Sequence, residues 1–222
     1  MNMTETTAFT QWIIDHGVSQ TVLELLISVC IVSTIVSIAR YILGSKTYGI
    51  YAPIILAIAY SYTGLKYGLA ITFVVVLVSL LSYSILKKIR MHYISRIAAN
   101  YTILSMGLVL FFILVDIFGL GLENMANIPP LAFICIAALS DFFIRQYIKK
   151  SIKTSILTLL GTILAAIVGW FVITRDIISQ YVLNNLWIIP LLTIVNILLG
   201  TFKGLRVKEL FRFKFTARED ER

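Results

Sequence analysis

Charge is scarce in this chain: 14% of its 222 residues are Asp, Glu, Lys or Arg, against 59% hydrophobic. A soluble domain could not clothe its surface with so few charges, so that class is excluded. Cysteine and histidine number two each. Cys30 and Cys135 fall inside apolar runs, where a thiol behaves as a small hydrophobe, and no disulfide framework or zinc site is expected from them. Lys and Arg are missing from the first twenty positions. A secretory signal needs a basic n-region and a shorter apolar core than the run that follows here, so the first helix is expected to stay in the protein. There is no phosphate-cradling glycine loop, no zinc-protease motif and no pair of carboxylates spaced for intramembrane proteolysis. Catalytic residues, metals and cofactors are therefore not expected.

What the chain has is apolar runs of a length that suits a hydrocarbon core of about 30 Å, each ending at charge, glycine or proline. Seven are legible, over 22–43, 50–64, 67–86, 97–120, 128–147, 155–173 and 186–201. The fold class expected is an all-α integral membrane protein of seven transmembrane helices. An N-terminal segment over 1–20 precedes the transmembrane domain at 21–203, and a basic tail follows over 204–222.

Laying the spans out alternately sorts the basic residues very unevenly. One side receives Arg40, Lys46, Lys87, Lys88, Arg90, Arg96, Arg145, Lys149, Lys150, Lys153 and all seven in the tail region from Lys203 onward; the other receives Lys66 and Arg175. The positive-inside rule then predicts an external N-terminus and a cytoplasmic C-terminus, in the cytoplasmic (inner) membrane. The net charge of +8 is accounted for by topology and by anionic lipid head groups as partners, with no nucleic acid. The layout puts His16 and His92 on opposite sides, so they cannot share a metal or a triad. Lys203, at the cytoplasmic end of the last helix, is misplaced for a retinal Schiff base.

The stretch GSKTYGIYAPIILAIAYSYTG, over 44–64, is unusual. Arg40 and Lys46 bracket a turn that Gly44 and Gly49 can make tight. Pro53 falls in the first turn of the next helix, where its missing N–H costs least. That helix is short and turns polar at Tyr60, Ser61 and Tyr62. NIPPLAFICIAALSDFF echoes it, with Pro129 and Pro130 at the head and Ser140 and Asp141 at the polar end. Because the two helices start on opposite sides, the echo predicts two inverted repeats, helices one to three and four to six, plus one; in transporters such segments mark the substrate path.

Candidate path or turn residues are Arg40, Lys46, Thr47, Tyr48, Gly49, Tyr51, Pro53, Pro130, Asp141 and Arg145. Asp141 and Arg145 are four apart and share a face, as a structural ion pair or as a substrate or proton site. Arg40 and Lys46 can meet an anionic product or snorkel to lipid phosphate. Glu24 and Asp116 sit near outer helix ends, where charge is tolerable. Asn100, read as lying in the first turn of helix four, and Asn196 are expected to tie helices together. In the tail, Arg206, Glu209 and Arg212 alternate with Leu and Phe as an interfacial anchor or a docking strip.

ARYILGSKTYGIYAPIILAIAYSYTGLKYGLAI, the basic turn LKKIRMHYISR and the closing LLGTFKGLRVKELFRFK resemble the seven-transmembrane domain usually fused to an inactive transglutaminase-like domain. KTYGIYAPIILA with VLVSLLSYSILKK is similar to membrane protein C of capsular poly-γ-glutamate synthesis, with Tyr48 interrupting that family's pattern. Both resemblances imply a non-enzymatic membrane component beside a cytoplasmic ATP-dependent amide ligase, exporting or scaffolding a peptide-like or polyglutamate-like product. About twenty residues precede helix one, so the transglutaminase-like domain is expected as a separate external subunit or not at all. The alternative is a seven-helix signalling module that couples an external binding domain to a cytoplasmic partner.

Overall fold

The computed structural model describes residues 8–42, 44–119, 128–149, 152–175 and 181–201. Eight helices of eight residues or more are formed among them: α1 (Ala8–Asp15), α2 (Gln20–Tyr41), α3 (Tyr51–Thr63), α4 (Leu65–Leu86), α5 (Tyr93–Ile117), α6 (Pro130–Lys149), α7 (Ile152–Ile173) and α8 (Ile188–Thr201). Five of them, α2 and α4 to α7, are long and apolar enough to cross a membrane, whereas α3 and α8 are shorter apolar helices. Together these seven correspond to the seven runs read in the sequence. At 1.5 Å per residue, the 13 residues of α3 rise only about 20 Å.

Packing explains how so short a helix is tolerated. Ala52, Pro53, Ile54, Leu56, Ala57, Ala59, Tyr60 and Thr63 of α3 are all buried, against α7 and α6 chiefly and α2 and α4 besides. This helix is the axis of the bundle and meets protein on nearly every side. The large exposed side chains lie on the outer helices instead: Phe73, Leu77, Leu81 and Ile85 form an i, i+4 stripe along α4, and α5 and α7 carry similar apolar faces. In water such faces would drive aggregation, whereas hydrocarbon covers them. The chain is a multi-pass membrane protein.

The main packing pairs among α2 to α7 are α2 with α7 and α3, α4 with α5, α6 and α3, α3 with α7 and α6, and α6 with α7 and α5. Exchanging α2 with α5, α3 with α6 and α4 with α7 turns this set into itself. Ala52 and Leu56, early in α3, meet Leu139 and Phe142 near the middle of α6.

Outside the exchange stand α1 and α8. Helix α8 has no buried residue and lies against α2, where Asn196 Nδ2 donates to Thr34 Oγ1 at 2.8 Å. Asn196→Leu is expected to weaken the protein by only about 0.6 kcal/mol, the usual scale for one interhelical hydrogen bond in a membrane. Denaturant unfolding in detergent micelles measures it, and a loss several times larger would show that this bond holds α8 in place. Helix α1 is secured where Thr10 Oγ1 donates to the carbonyl of Leu183 at 2.8 Å. Ile13, Ile14 and Val18 pack with Leu23, Ile27, Val182 and Leu183.

Candidate functional site

Over residues 44–50, between α2 and α3, the chain runs without helix past α7, and several of its backbone groups are met by protein. Gly44 and Gly49 have φ of 70° and 66°, a region that glycine enters without a Cβ penalty. The Ser45 N–H and hydroxyl both donate to the carbonyl of Ala39, at 3.0 and 2.9 Å. Thr47 Oγ1 donates to the carbonyl of Gly49 at 2.8 Å. The Tyr48 N–H donates to Thr162 Oγ1 at 2.9 Å, and the Tyr48 hydroxyl donates to the carbonyl of Ser155 at 2.8 Å. Thr162 is the eleventh residue of α7, about 15 Å along it. Non-helical backbone at such depth is tolerated in a membrane only where protein or a water-filled cavity lines it. The lining is close, because a Cβ on Gly161 would collide with the carbonyl oxygen of Lys46.

Two cavities open at opposite ends of the bundle, the larger with a mixed polar and apolar lining and the smaller with a mostly apolar one. The larger, about 320 Å³, is lined by Gln20, Glu24 and Ser28 of α2, Ser61 and Tyr62 late in α3, and Thr174 just after α7. The smaller, about 40 Å³, is lined by Tyr83 and Leu86 late in α4, Arg96, Ile97 and Asn100 early in α5, and Asp141, Ile144, Arg145 and Ile148 in the second half of α6. In each cavity the start of one helix meets the ends of two others, and the exchange described above carries α2, α3 and α7 onto α5, α6 and α4. In the larger one, Gln20 Nε2 donates to Glu24 Oε1 at 2.8 Å. In the smaller one, Arg145 pairs with Asp141 at 2.7 Å, the two side chains 54% and 23% exposed.

The model of a family described as seven transmembrane helices usually fused to an inactive transglutaminase matches residues 5–217. The chain belongs to this family. No curated protein and no solved structure matches it. The match is to the first of the two families that the sequence resembles, and it covers all the helices of the bundle. In this seven-helix transglutaminase-associated domain, the residues singled out from the sequence occupy three places. Tyr48 and Pro53 are buried, Tyr48 as the anchor of the segment over 44–50. Arg40, Lys46, Gly49, Tyr51 and Pro130 are exposed, Thr47 is half-buried, and Asp141 and Arg145 belong to the smaller cavity. The ten do not converge on one pocket. Between Pro53 and Pro130, α3 and α6 meet through Ala52, Ile55, Leu56, Cys135, Leu139 and Phe142, in an apolar cleft with no room for water. Arg206, Glu209 and Arg212, like Lys149's neighbour Lys150, lie outside the described residues.

Asn100 needs correction. The helix starts at Tyr93, so Asn100 stands in its third turn rather than its first, deep enough for its side chain to be buried and to donate to Ser140 Oγ at 3.3 Å. Arg96, Ser155, Gly161 and Thr162 were not singled out as site residues. Arg96 was legible as a basic residue four positions before Asn100; the other three depend on contacts more than a hundred residues away in sequence.

Proposed function

We propose that this domain is a non-enzymatic subunit of the cytoplasmic (inner) membrane, N-terminus outside and C-terminus inside, that passes a peptide-like or polyglutamate-like product of a partner ATP-dependent amide ligase across the bilayer. The observation that carries this reading is the pair of cavities, one at each end of the bundle, built from exchangeable helix ends and each with a charged side chain in its lining. That is the arrangement expected of a 3+3 inverted repeat with one added helix, a common plan for carriers that open alternately to either side. The unequal volumes fit a form open at one end and nearly closed at the other. Charge supports the orientation: the end with the smaller cavity also carries Arg40, Lys46, Lys87, Lys88, Arg90 and Lys153, and the other carries Lys66 and Arg175. A transglutaminase-like partner, the usual companion of this family, would then meet the outer end.

The test is thiol labelling from each side with membrane-impermeant reagents, with Cys30 and Cys135 replaced by alanine. Ser61→Cys is expected to label from outside, and Ile144→Cys to label slowly from the cytoplasm. Joining Thr21→Cys to Ser61→Cys with a bifunctional reagent should close the outer cavity and speed labelling of Ile144→Cys. If that labelling is unchanged, the cavities are independent and the carrier reading fails. The signalling reading would then gain, supported by α1 packing in one cluster with Val182, Leu183 and Leu186 ahead of α8 and with Ile188 and Ile189 at its start, a physical link between an outer segment and the last helix.

A further inference from the structure

We propose that the smaller cavity is a binding site for a carboxylate that carries a nearby N–H group, the chemistry of an N-acylated amino-acid unit; the proposal rests on the carrier reading and names the ligand class of one of its two cavities. The starting point is two buried polar atoms without a protein partner, Nε of Arg96 and Oδ1 of Asn100. Both residues line the cavity, and four positions apart on α5 they share a face. Asn100 is only 4% exposed. Leaving such atoms unmet costs about 1 to 3 kcal/mol each, more where the group is charged, so a merely structural tie between α5 and α6 would be better served by apolar side chains.

The chemistry of the two atoms is complementary in kind. Arg96 offers a charged donor, and the guanidinium edge containing Nε matches a carboxylate with two parallel hydrogen bonds. Asn100 offers an acceptor, because its Nδ2 is engaged with Ser140 Oγ; its partner must bring an N–H. One turn of helix, about 6 Å of rise, separates the two Cα atoms, and the ligand's two groups lie between their side chains. Across the cavity Asp141 and Arg145 neutralise each other, so the lining as a whole carries one positive charge, from Arg96, and selects an anion. At about 40 Å³ the cavity holds only about two or three waters. The ligand is therefore bound when α4 and α5 part from α6, as the corresponding helices at the other end already stand apart around about 320 Å³.

The experiment uses the full chain in lipid nanodiscs and three probes, titrated by ligand-observed saturation-transfer NMR. N-acetylglycine has a carboxylate and an N–H; levulinate is the same molecule with a methylene in place of the N–H; inorganic phosphate is an anion that also stands for a lipid head group. Expected is binding of N-acetylglycine at least about fivefold tighter than levulinate, from the hydrogen bond to Asn100. Arg96→Gln should weaken it about tenfold, the loss of one charge-assisted contact, and Asn100→Leu should erase the preference over levulinate. Equal binding of N-acetylglycine and levulinate to the unaltered protein overturns the proposal without any variant having to fold, and so does phosphate binding as tightly as N-acetylglycine. Because this is an equilibrium measurement, its failure leaves the two-sided labelling result intact, and failure of that labelling would leave a site that binds without passing its ligand.

Discussion

Gly161→Val is expected to dislodge the segment over 44–50 from α7 and to lower stability by about 2 to 3 kcal/mol, the upper range for forcing bulk into a closely packed interior. The size follows from what the new side chain meets. A Cβ at 161 strikes a backbone carbonyl, that of Lys46, and a carbonyl cannot rotate aside as a flexible side chain can. Nor can the segment retreat cheaply, since the Tyr48 N–H is tied to Thr162, the next residue of α7, and the Tyr48 hydroxyl to Ser155. Whatever α7 pushes away also drags the start of α3, only three residues beyond Tyr48. Thermal unfolding in detergent would report the loss, and limited proteolysis near Lys46 would show whether the segment has come free. Stability equal to that of the unaltered protein would mean that residues 44–50 are not seated on α7.

Tyr60→Ala is expected to cost about 3 kcal/mol or more, in the range for deleting a buried aromatic ring. Tyr60 is fully buried at the meeting of α3 and α4. Its ring stands where a Cβ on Gly68 would be, so glycine and tyrosine form a knob and its socket. Thr72 Oγ1 gives its hydrogen to the carbonyl of Gly68; the Tyr60 hydroxyl is therefore the donor in its 2.9 Å contact with Thr72 Oγ1. Lipid tails are as apolar as the side chain, so the penalty comes from lost dispersion contacts and an unfilled void rather than from exposure to water. Tyr60→Phe separates the two parts: it keeps the ring, removes the hydrogen bond, and should cost about 1 kcal/mol. Equal losses for the two variants would show that the hydroxyl, not the ring, holds α3 to α4.

The physics that made the helices legible also concealed their arrangement. Lipid-crossing runs announce themselves by length, and the seven were readable to within a few residues at most ends. The start of α5 was not, because the reading stopped at the charge of Arg96, whereas a helix continues through charge as long as its backbone bonds are met. That difference of four residues at the start of α5 is what moves Asn100 from a helix end to a buried position beside a cavity. Gly44, Gly49 and Pro53 marked a turn correctly by local chemistry. Its depth was invisible, since it depends on Gly161 being small and Thr162 being an acceptor, both remote in sequence. The polar ends of α3 and α6 were noticed, but the space between those helices is closed. The open volumes lie on their other flanks, where α2 and α7, or α5 and α4, complete the lining, and no local pattern specifies which neighbours those are.

The pairing of α2 with α7 and of α4 with α5 has a consequence for biogenesis. When α2, α3 and α4 have left the ribosome, α2 still lacks its main neighbour, and the flank of α3 that will face α6 and α7 stands open to lipid. A bundle of consecutive hairpins could finish its first half before the second was made; this one cannot. Its early helices must wait in the bilayer as separate, individually stable rods until α7 has been inserted, and only then can the central helix be enclosed. Truncation after α4 should therefore yield a chain that inserts but does not pack, a natural substrate for membrane quality control.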